Sequence, residues 1–232
     1  MTTQDATRQK QSPTAILFDW DGTLVDTLPF LFSAHNHVRG QIGEPLWTME
    51  EYKNIIHYSA RELYFKLYGD KEKQAIDILY KYVGENHLSA LKIYDHSLAL
   101  LQAIKARNIP CAIVSNKRHE YLNKEIDALN LREYSSVCIG AGYAAKDKPA
   151  ADPILKALDE MGLQPSRDVW YVGDSETDMK AATAASCAPV LVRHHHDNTH
   201  LIETYAPDYV FEDCQDMHLF LSKEVESSRE AG

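Results

Sequence analysis

The sequence has few cysteines and no long hydrophobic run, and both shortages narrow the class of protein. No apolar stretch approaches the roughly 20 residues that a membrane-spanning helix requires, so no membrane partner is expected. The four cysteines also lack the close spacing of a metal site: they are Cys111, Cys138, Cys187 and Cys214. We therefore expect all four to be buried, reduced thiols. This agrees with a cytoplasmic protein, which is the location that we expect, since disulfides are rare in the cytosol.

Positive charge is scarce as well. The sequence contains 24 Lys and Arg residues against 34 Asp and Glu residues, which gives a net charge of −10. A nucleic-acid-binding surface needs an excess of cations to neutralise phosphates, so no nucleic-acid partner is expected. A small phosphorylated substrate remains compatible with this balance, because a metal ion and a few local cations can dominate one pocket.

The two ends of the sequence are polar. Residues 1–13 lack the apolar stretch of a signal peptide, and residues 223–232 are also hydrophilic. Both segments are expected to be flexible tails. The residues between them can form one ordinary domain and a smaller one.

Helical patterns alone occupy residues 27–91, where Thr48 and Glu51 predict a capped helix start and residues 71–91 predict one long helix. A crossover between parallel strands needs only about a dozen residues, so this block is interpreted as a small helical domain inserted after the first strand.

Strands and helices alternate in the rest of the chain, residues 14–26 and 92–222. This alternation predicts an α/β core, discontinuous in sequence, with a mostly parallel sheet and helices on both faces. One of its helices is predicted over residues 95–107, with Asp95 as its cap and Leu98 and Leu101 facing inward.

Two carboxylates follow the first apolar strand directly. Residues 15–18 predict a buried strand, and Asp19 and Asp21 come immediately after it. Buried carboxylates are costly unless they are paired or bind a metal, and ligands of α/β proteins sit at the carboxyl ends of the strands. These acids therefore indicate a functional edge, where Gly22 lets backbone approach a substrate. The alternative is an acidic strand exit with a turn at Asp21 and Gly22.

Polar residues also follow three further predicted strands. In a parallel sheet all of these strand ends share one edge, so their side chains should converge. They are Ser115 and Asn116 after the second strand, Lys146 and Lys148 after the third, and Asp174 and Asp178 after the fourth.

This combination suits phosphoryl transfer. Asp19 can attack phosphorus and form an aspartyl-phosphate, while Asp21 can protonate the leaving alcohol and later accept a proton from water. Asp19 and Asp174 offer the hard oxygen ligands that Mg²⁺ prefers. Lys148 can neutralise developing charge, on which phosphoryl transfer largely depends.

The phosphate itself needs hydrogen-bond donors. Ser115 and Asn116 can donate to its oxygens together with N–H groups of the neighbouring loops. Gly22 and Thr23, in the loop after the first strand, are the other candidates for binding substrate or phosphate.

The ordered set of motifs resembles the haloacid dehalogenase-like superfamily, in particular its phosphoglycolate phosphatase-like branch. The resemblance runs over about residues 14–212. It implies a Rossmann-like core with a helical cap inserted after the first motif. The matching motifs are Asp19-Trp20-Asp21-Gly22-Thr23, Ser115-Asn116-Lys117, Lys148-Pro149 and Gly173-Asp174-Ser175-Glu176-Thr177-Asp178.

The resemblance also implies a role for several matched residues. Asp19 would be the nucleophile, and Asp21 the acid/base with its backbone carbonyl on Mg²⁺. Asp174 would bind the metal directly, and Asp178 would support the water shell of the metal or Lys148. Dehalogenase members lack an acid at the position of Asp21, so Asp21 favours hydrolysis of a phosphate ester. Lys148 is preferred over Lys146, since Lys148-Pro149 fits the family pattern.

Substrate choice is expected to depend on the cap. There Arg61 could bind a substrate carboxylate or a second phosphate through its planar guanidinium, or it could be a solvated residue of a helix. His57 and Tyr58 depart from the glycine-containing loop of relatives, which weakens an assignment to phosphoglycolate itself.

Three further features of the sequence are assigned structural roles. Lys117 is expected to point outward, and Trp20 to pack beside the end of the strand. The run of histidines from His194 is interpreted as a solvated surface loop.

The sequence therefore predicts a Mg²⁺-dependent phosphatase, a monomer or homodimer, that hydrolyses the monoester of a small metabolite such as a phosphoglycolate-like compound or a sugar phosphate. The alternatives are a phosphomutase of the same superfamily and a low-turnover binding or regulatory protein.

Overall fold

A six-stranded parallel sheet forms the centre of the computed structural model, which describes residues 12–55, 60–135, 137–194 and 198–230. The strands are β1 (Ala15–Phe18), β2 (Cys111–Arg118), β3 (Val137–Ala141), β4 (Val169–Gly173), β5 (Ala188–Val192) and β6 (Tyr209–Phe211). They lie in the order β3-β2-β1-β4-β5-β6, so β1 is central and the order reverses beside it. This reversal is where open α/β sheets bind their ligands.

Short apolar sequences make these strands, as parallel sheets covered on both faces require. Every residue of β1, β4 and β5 is buried. Helices pack on each face: α5 (Ser97–Ala106), α6 (His119–Ala128) and α10 (Cys214–Glu230) on one, α7 (Asp152–Met161) and α8 (Glu176–Ala184) on the other. The short helix α9 (Thr199–Tyr205) packs against α8. The predicted α/β class is confirmed.

The remaining helices form a block inserted between β1 and α5. They are α1 (Leu28–Ile42), α2 (Met49–Lys53), α3 (Ala60–Tyr68) and α4 (Glu72–Asn86), with a 3₁₀ helix at Gly69–Lys71. The block has its own apolar cluster, which includes Val38, Tyr64, Leu79 and Val83. Thr48 and Glu51 form the predicted capping box at the start of α2. This block is the helical cap of the predicted fold class.

Several helix boundaries differ from the sequence predictions. The long helix predicted over 71–91 ends at Asn86, where His87 turns its ring towards the core. Helix α5 begins at Ser97, with His96 rather than Asp95 as its N-cap residue. Leu98, which was expected to face inward, is 42% exposed. The inward positions of α5 are Leu100, Leu101 and Ile104.

The C-terminal segment also differs. A flexible tail was expected from residue 223, but α10 continues to Glu230. Its first turns are anchored by Cys214, Met217 and Leu221, which are buried at helical spacing against the sheet.

Two expectations about composition can be compared with the structure. All four cysteines are free and buried, as predicted. Within the described residues, no helix combines the length and apolar character that crossing a membrane would require.

Gly140 of β3 provides a test of the packing. A Cβ atom there would lie 2.4 Å from Cα of His119 and 2.8 Å from the carbonyl oxygen of Lys117. Both neighbours are backbone and cannot move aside, so Gly140→Ala should lower the free energy of unfolding by about 1 to 3 kcal/mol. Urea denaturation would measure the change.

Gly40 of α1 is the matched control. A Cβ atom there meets only Cδ2 of Leu46, at 3.8 Å. Gly40→Ala should therefore raise stability by about 0.5 to 1 kcal/mol through helix propensity. Equal losses in the two variants would contradict the packing described for β3.

Candidate active site

The loop after β1 brings Asp19 and Asp21 to the carboxyl edge of the sheet. Gly22 follows with φ of +82°, and a Cβ atom on it would lie 2.4 Å from Oδ2 of Asp174. Only glycine fits both the left-handed backbone and this close approach. The loop is therefore shaped to bring β1 and the end of β4 together.

An acidic cluster occupies this edge. Asp19, Asp174 and Asp178 each place a carboxylate oxygen within 4.8 Å of the others. Nζ of Lys148 lies 2.7 Å from Oδ1 of Asp19 and 2.7 Å from Oδ1 of Asp178, and its side chain is only 2% exposed. One buried ammonium thus partly compensates three carboxylates.

Burial dominates the electrostatics of the cluster. It raises the pKa of Asp19 to about 7, against the effect of Lys148 and with that of Asp178. It also raises the pKa of Asp174, and the neighbouring carboxylates of Asp178 and Asp19 add to the shift. Burial lowers the pKa of Lys148, but Asp178 and Asp19 raise it by more, so Lys148 stays charged. A further cation would relieve the remaining excess of negative charge.

The two acids near the end of β4 have different surroundings. Asp178 accepts hydrogen bonds from the backbone N–H and the hydroxyl of Ser175, at 3.0 and 2.5 Å, and its other oxygen accepts from Lys148 and from Tyr171. The carboxylate of Asp174 has no hydrogen bond or ion pair with the side chain of another described residue and faces the cavity. Asp174 and Asp19 therefore fit the donor set of a hard divalent cation, whereas Asp178 is already saturated.

Asn116 fixes the backbone of the lysine. Its amide group donates to the carbonyl of Lys148 and accepts from the N–H of Lys148, both at 2.9 Å. Lys146, the alternative considered from the sequence, is exposed. The structure thus brings Lys148 rather than Lys146 to the acids.

The other candidates for binding phosphate differ in position. Ser115 is buried at the end of the apolar part of β2, and both it and Gly22 line the cavity. Thr23 is fully buried and lies behind this wall.

Lys117 was expected to point outward, and this expectation is wrong. Its side chain is 5% exposed, with Nζ 2.7 Å from Oδ1 of Asp21 and 2.6 Å from Oε2 of Glu125. Burial lowers the pKa of Lys117, but these two carboxylates raise it by more. The alternation of β2 could have revealed this, because Lys117 lies two residues after Ser115 and shares its face.

Glu125 of α6 was missed by the sequence analysis. It is 1% exposed, and besides Lys117 it accepts a 2.6 Å hydrogen bond from the indole N–H of Trp20 and lies 2.8 Å from Nδ1 of His87. Trp20 thus packs at the strand end, as expected, but also anchors this acid. The available signal was an acid three residues after Leu122, within the apolar stripe of its helix.

Two other sequence assignments concern the surroundings of the site. Arg61 lies in α3, but its side chain is outside the described structure, as are His57 and Tyr58. His194 is half-buried rather than fully solvated: its Nε2 lies 2.8 Å from the carbonyl oxygen of Thr23, and its ring stacks on Tyr94 with the ring centroids 3.7 Å apart. The rest of the histidine run falls outside the described residues.

A cavity of about 1020 Å³ joins the acids to the cap. Its cap wall includes the apolar Leu28, Leu31, Leu79 and Val83. His35 lies in the same wall, and burial lowers its pKa to about 4, so its ring is neutral near pH 7. The cavity therefore has a charged floor and a mainly uncharged roof.

Comparisons with known proteins agree with this architecture. The profile of the family described as haloacid dehalogenase-like hydrolase matches residues 16–192. A phosphoglycolate phosphatase of Aquifex aeolicus is 31% identical over 177 residues, covering 76% of this chain and 83% of that protein. A relative from Caldanaerobacter subterraneus that carries a pyrophosphatase name is 30% identical over 208 residues, covering 86% and 90% of the two chains.

A solved structure is also similar. It is a hydrolase of the same superfamily from Ehrlichia chaffeensis, with a TM-score of 0.65, 28% sequence identity, and coverage of 94% of this chain and 100% of that one.

Lys148→Met tests the charge compensation in the cluster. The change leaves Asp19 and Asp178 buried beside each other without their cation. The free energy of unfolding at pH 7 in EDTA should fall by about 3 to 5 kcal/mol. The deficit should shrink towards pH 5, because burial raises the pKa of Asp19, and this carboxylate relieves the unpaired negative charge by binding a proton as the pH falls.

The exposed pair of Lys105 and Glu133, 2.6 Å apart, supplies the control. Lys105→Met should change stability far less, since solvent screens this pair. Equal effects of the two variants would show that Lys148 does not compensate buried charge.

Proposed function

Because the chain belongs to the haloacid dehalogenase-like hydrolases, we propose that it is a Mg²⁺-dependent phosphatase of small phosphate monoesters that forms an aspartyl-phosphate. The observation that carries the proposal is the cluster at the sheet edge, where Asp19 and Asp174 face one cavity and Lys148 is buried beside them. Phosphoglycolate-like compounds and sugar phosphates are the substrate classes that we propose.

The domain organisation that we propose follows the sequence boundaries. Residues 14–26 and 92–222 form the core, and residues 27–91 form the cap. The cavity between them is about 1020 Å³, large enough for a small metabolite. Arg61 on the cap is the residue that we propose binds the end of the substrate remote from phosphorus.

Asp19 acts as the nucleophile in this proposal. Its oxygen attacks phosphorus as the bond to the leaving alcohol breaks, and the phosphoryl group is carried on Asp19 until water releases it. Lys148 supports the ionised form of Asp19 against the burial that raises its pKa. Asp178 holds Lys148 in place, at 2.7 Å.

Asp21 acts as the acid/base. It gives a proton to the leaving alkoxide and then takes one from the water that attacks phosphorus. Its side chain lies at the cavity wall and is 20% exposed. It can therefore reach both the leaving oxygen of the ester and the oxygen of the attacking water. Ser115 and the loop that contains Gly22 and Thr23 supply donors to the phosphate oxygens, and Asn116 acts through the backbone of Lys148.

The cation that completes the site is Mg²⁺, held by the carboxylates of Asp19 and Asp174 and by the backbone carbonyl of Asp21. When bound, it supplies positive charge to the phosphate oxygens. The fit is chemical: hard oxygens converge here in a setting with excess negative charge.

A metabolite panel tests the reaction. With Mg²⁺ the wild type should release inorganic phosphate from at least one alkyl phosphate, and Asp19→Asn should lower that rate by at least about 1000-fold, because it removes the nucleophile. Asp159→Asn is the control, since Asp159 is 80% exposed and remote from the cavity. The panel should include phosphoglycolate, sugar phosphates and pyrophosphate.

The result also decides between the alternatives. A sugar phosphate isomerised without free phosphate would indicate a phosphomutase instead. A protein that binds phosphoesters but shows no turnover sensitive to Asp19→Asn would be a binding or regulatory protein.

Thermal unfolding with and without Mg²⁺ tests the metal site separately. At a concentration of about 100 times its dissociation constant, Mg²⁺ should stabilise the wild type by about 2.7 kcal/mol. Asp174→Asn should lose most of this gain, whereas Asp159→Asn should keep it. An equal Mg²⁺ response in wild type and Asp174→Asn would remove Asp174 from the metal site.

A further inference from the structure

Two donors converge on one oxygen of Asp21. The hydroxyl of Thr27 donates to Oδ1 at 2.6 Å, and Nζ of Lys117 lies 2.7 Å from the same atom. None of the described residues donates to Oδ2. The carboxylate is therefore fixed through one oxygen, and its other oxygen is left for chemistry at the cavity wall.

The buried carboxylate of Glu125 fixes the position of Lys117. Oε2 of Glu125 accepts from Nζ of Lys117 at 2.6 Å, and Glu125 is itself held by Trp20 and His87. The side chains of Lys117 and Glu125 are 5% and 1% exposed. Glu125 lies outside the cavity lining, whereas Lys117 lies at the cavity wall with its ammonium held between Glu125 and Asp21. The position of the ammonium next to Asp21 is therefore set by a carboxylate of the protein interior.

Stability alone is a weak reason for such an arrangement, because buried ion pairs seldom stabilise more than an apolar replacement would. The arrangement also repeats the geometry around Asp19. There Lys148 lies 2.7 Å from Asp19 and 2.7 Å from Asp178, just as Lys117 lies between Asp21 and Glu125.

We propose that Lys117 and Glu125 are positioning residues for Asp21: they fix Oδ1, with Thr27, and so make Oδ2 the atom that exchanges protons during turnover. The inference rests on the proposed acid/base role of Asp21. In the first step the P–O bond of the ester breaks as the bond from Asp19 to phosphorus forms, and the leaving oxygen takes the proton of Oδ2. In the second step Oδ2 takes a proton from water, whose oxygen bonds to phosphorus and frees Asp19.

The geometry is compatible with both steps. Because the donors bind Oδ1, they stay in place whether or not Oδ2 carries a proton. Without Lys117, the hydroxyl of Thr27 is the one donor to this carboxylate that remains among the described residues, and small misplacements of a catalytic group are costly.

The dependence on leaving group tests this inference. The leaving oxygen of an alkyl phosphate needs a proton, whereas p-nitrophenyl phosphate releases p-nitrophenolate, which is stable as an anion. The value of kcat/KM reports the steps up to transfer of phosphorus to Asp19. The measured quantity is therefore the ratio of kcat/KM for the best alkyl phosphate of the panel to that for p-nitrophenyl phosphate.

The variants should lower this ratio in a defined order. Asp21→Asn removes the proton and should lower it by about 100-fold. Lys117→Met should lower it by about tenfold, and Lys117→Arg, which keeps a cation, should recover part of the loss. Lys105→Met, at an exposed lysine with a similar ion pair, should leave it within about twofold.

Folding is controlled by a double variant. Lys117→Met leaves Glu125 buried without its cation, so the melting temperature should fall. Lys117→Met with Glu125→Gln removes the unpaired charge and should recover melting temperature while the ratio stays low. A purely structural role predicts that the ratio recovers as well, which would overturn the inference.

The outcomes separate this inference from the proposed function. If Asp21→Asn lowers the ratio but Lys117→Met lowers both kcat/KM values equally, Lys117 does not position the acid and the inference is wrong. If Asp21→Asn leaves the ratio unchanged, the acid/base role of Asp21 is wrong and the inference falls with it.

Discussion

Buried negative charge is the constraint on which the rest of this structure depends. Carboxylates gathered at one sheet edge lose their hydration and repel one another, and they stay ionised only if cations are buried with them. Two lysines meet this need, each lying between a carboxylate of the β1 loop and a carboxylate of a helix. Lys148 joins Asp19 to Asp178, and Lys117 joins Asp21 to Glu125.

These ion pairs also organise the fold around the site. Lys148 connects the loop after β1 to the first turn of α8, and Lys117 connects the same loop to α6. Glu125 extends the second connection to His87, which follows the last cap helix. The groups that we assign to catalysis are thus part of the packing between sheet, helices and cap, so the chemistry and the architecture cannot be separated.

Local patterns predicted the parts of the molecule that are local. Apolar runs identified the strands, and polar residues at their ends identified the acidic cluster, because the edge of a parallel sheet brings such residues together. The buried ion pair of Lys117 and Glu125 escaped prediction: residue spacing places each of them on an inward face, but only the tertiary structure shows that they pair with each other. The start of α5 was predicted one residue too early. Asp95 is the better N-cap residue by propensity, but in the structure His96, with φ of 66°, is the residue that precedes the helix.

Glu125 has a consequence for how this sequence can diverge. Trp20, Lys117 and His87 all direct a polar nitrogen at its buried carboxylate. A neutral, smaller residue at 125 would leave several donors without an acceptor, and loss of one donor would leave the buried carboxylate with one hydrogen bond fewer. A substitution at Glu125 should therefore be tolerated only together with a change in its donors, so we expect these four positions to vary together in related sequences. Descendants that break this set of contacts would have to rebuild the contact between core and cap.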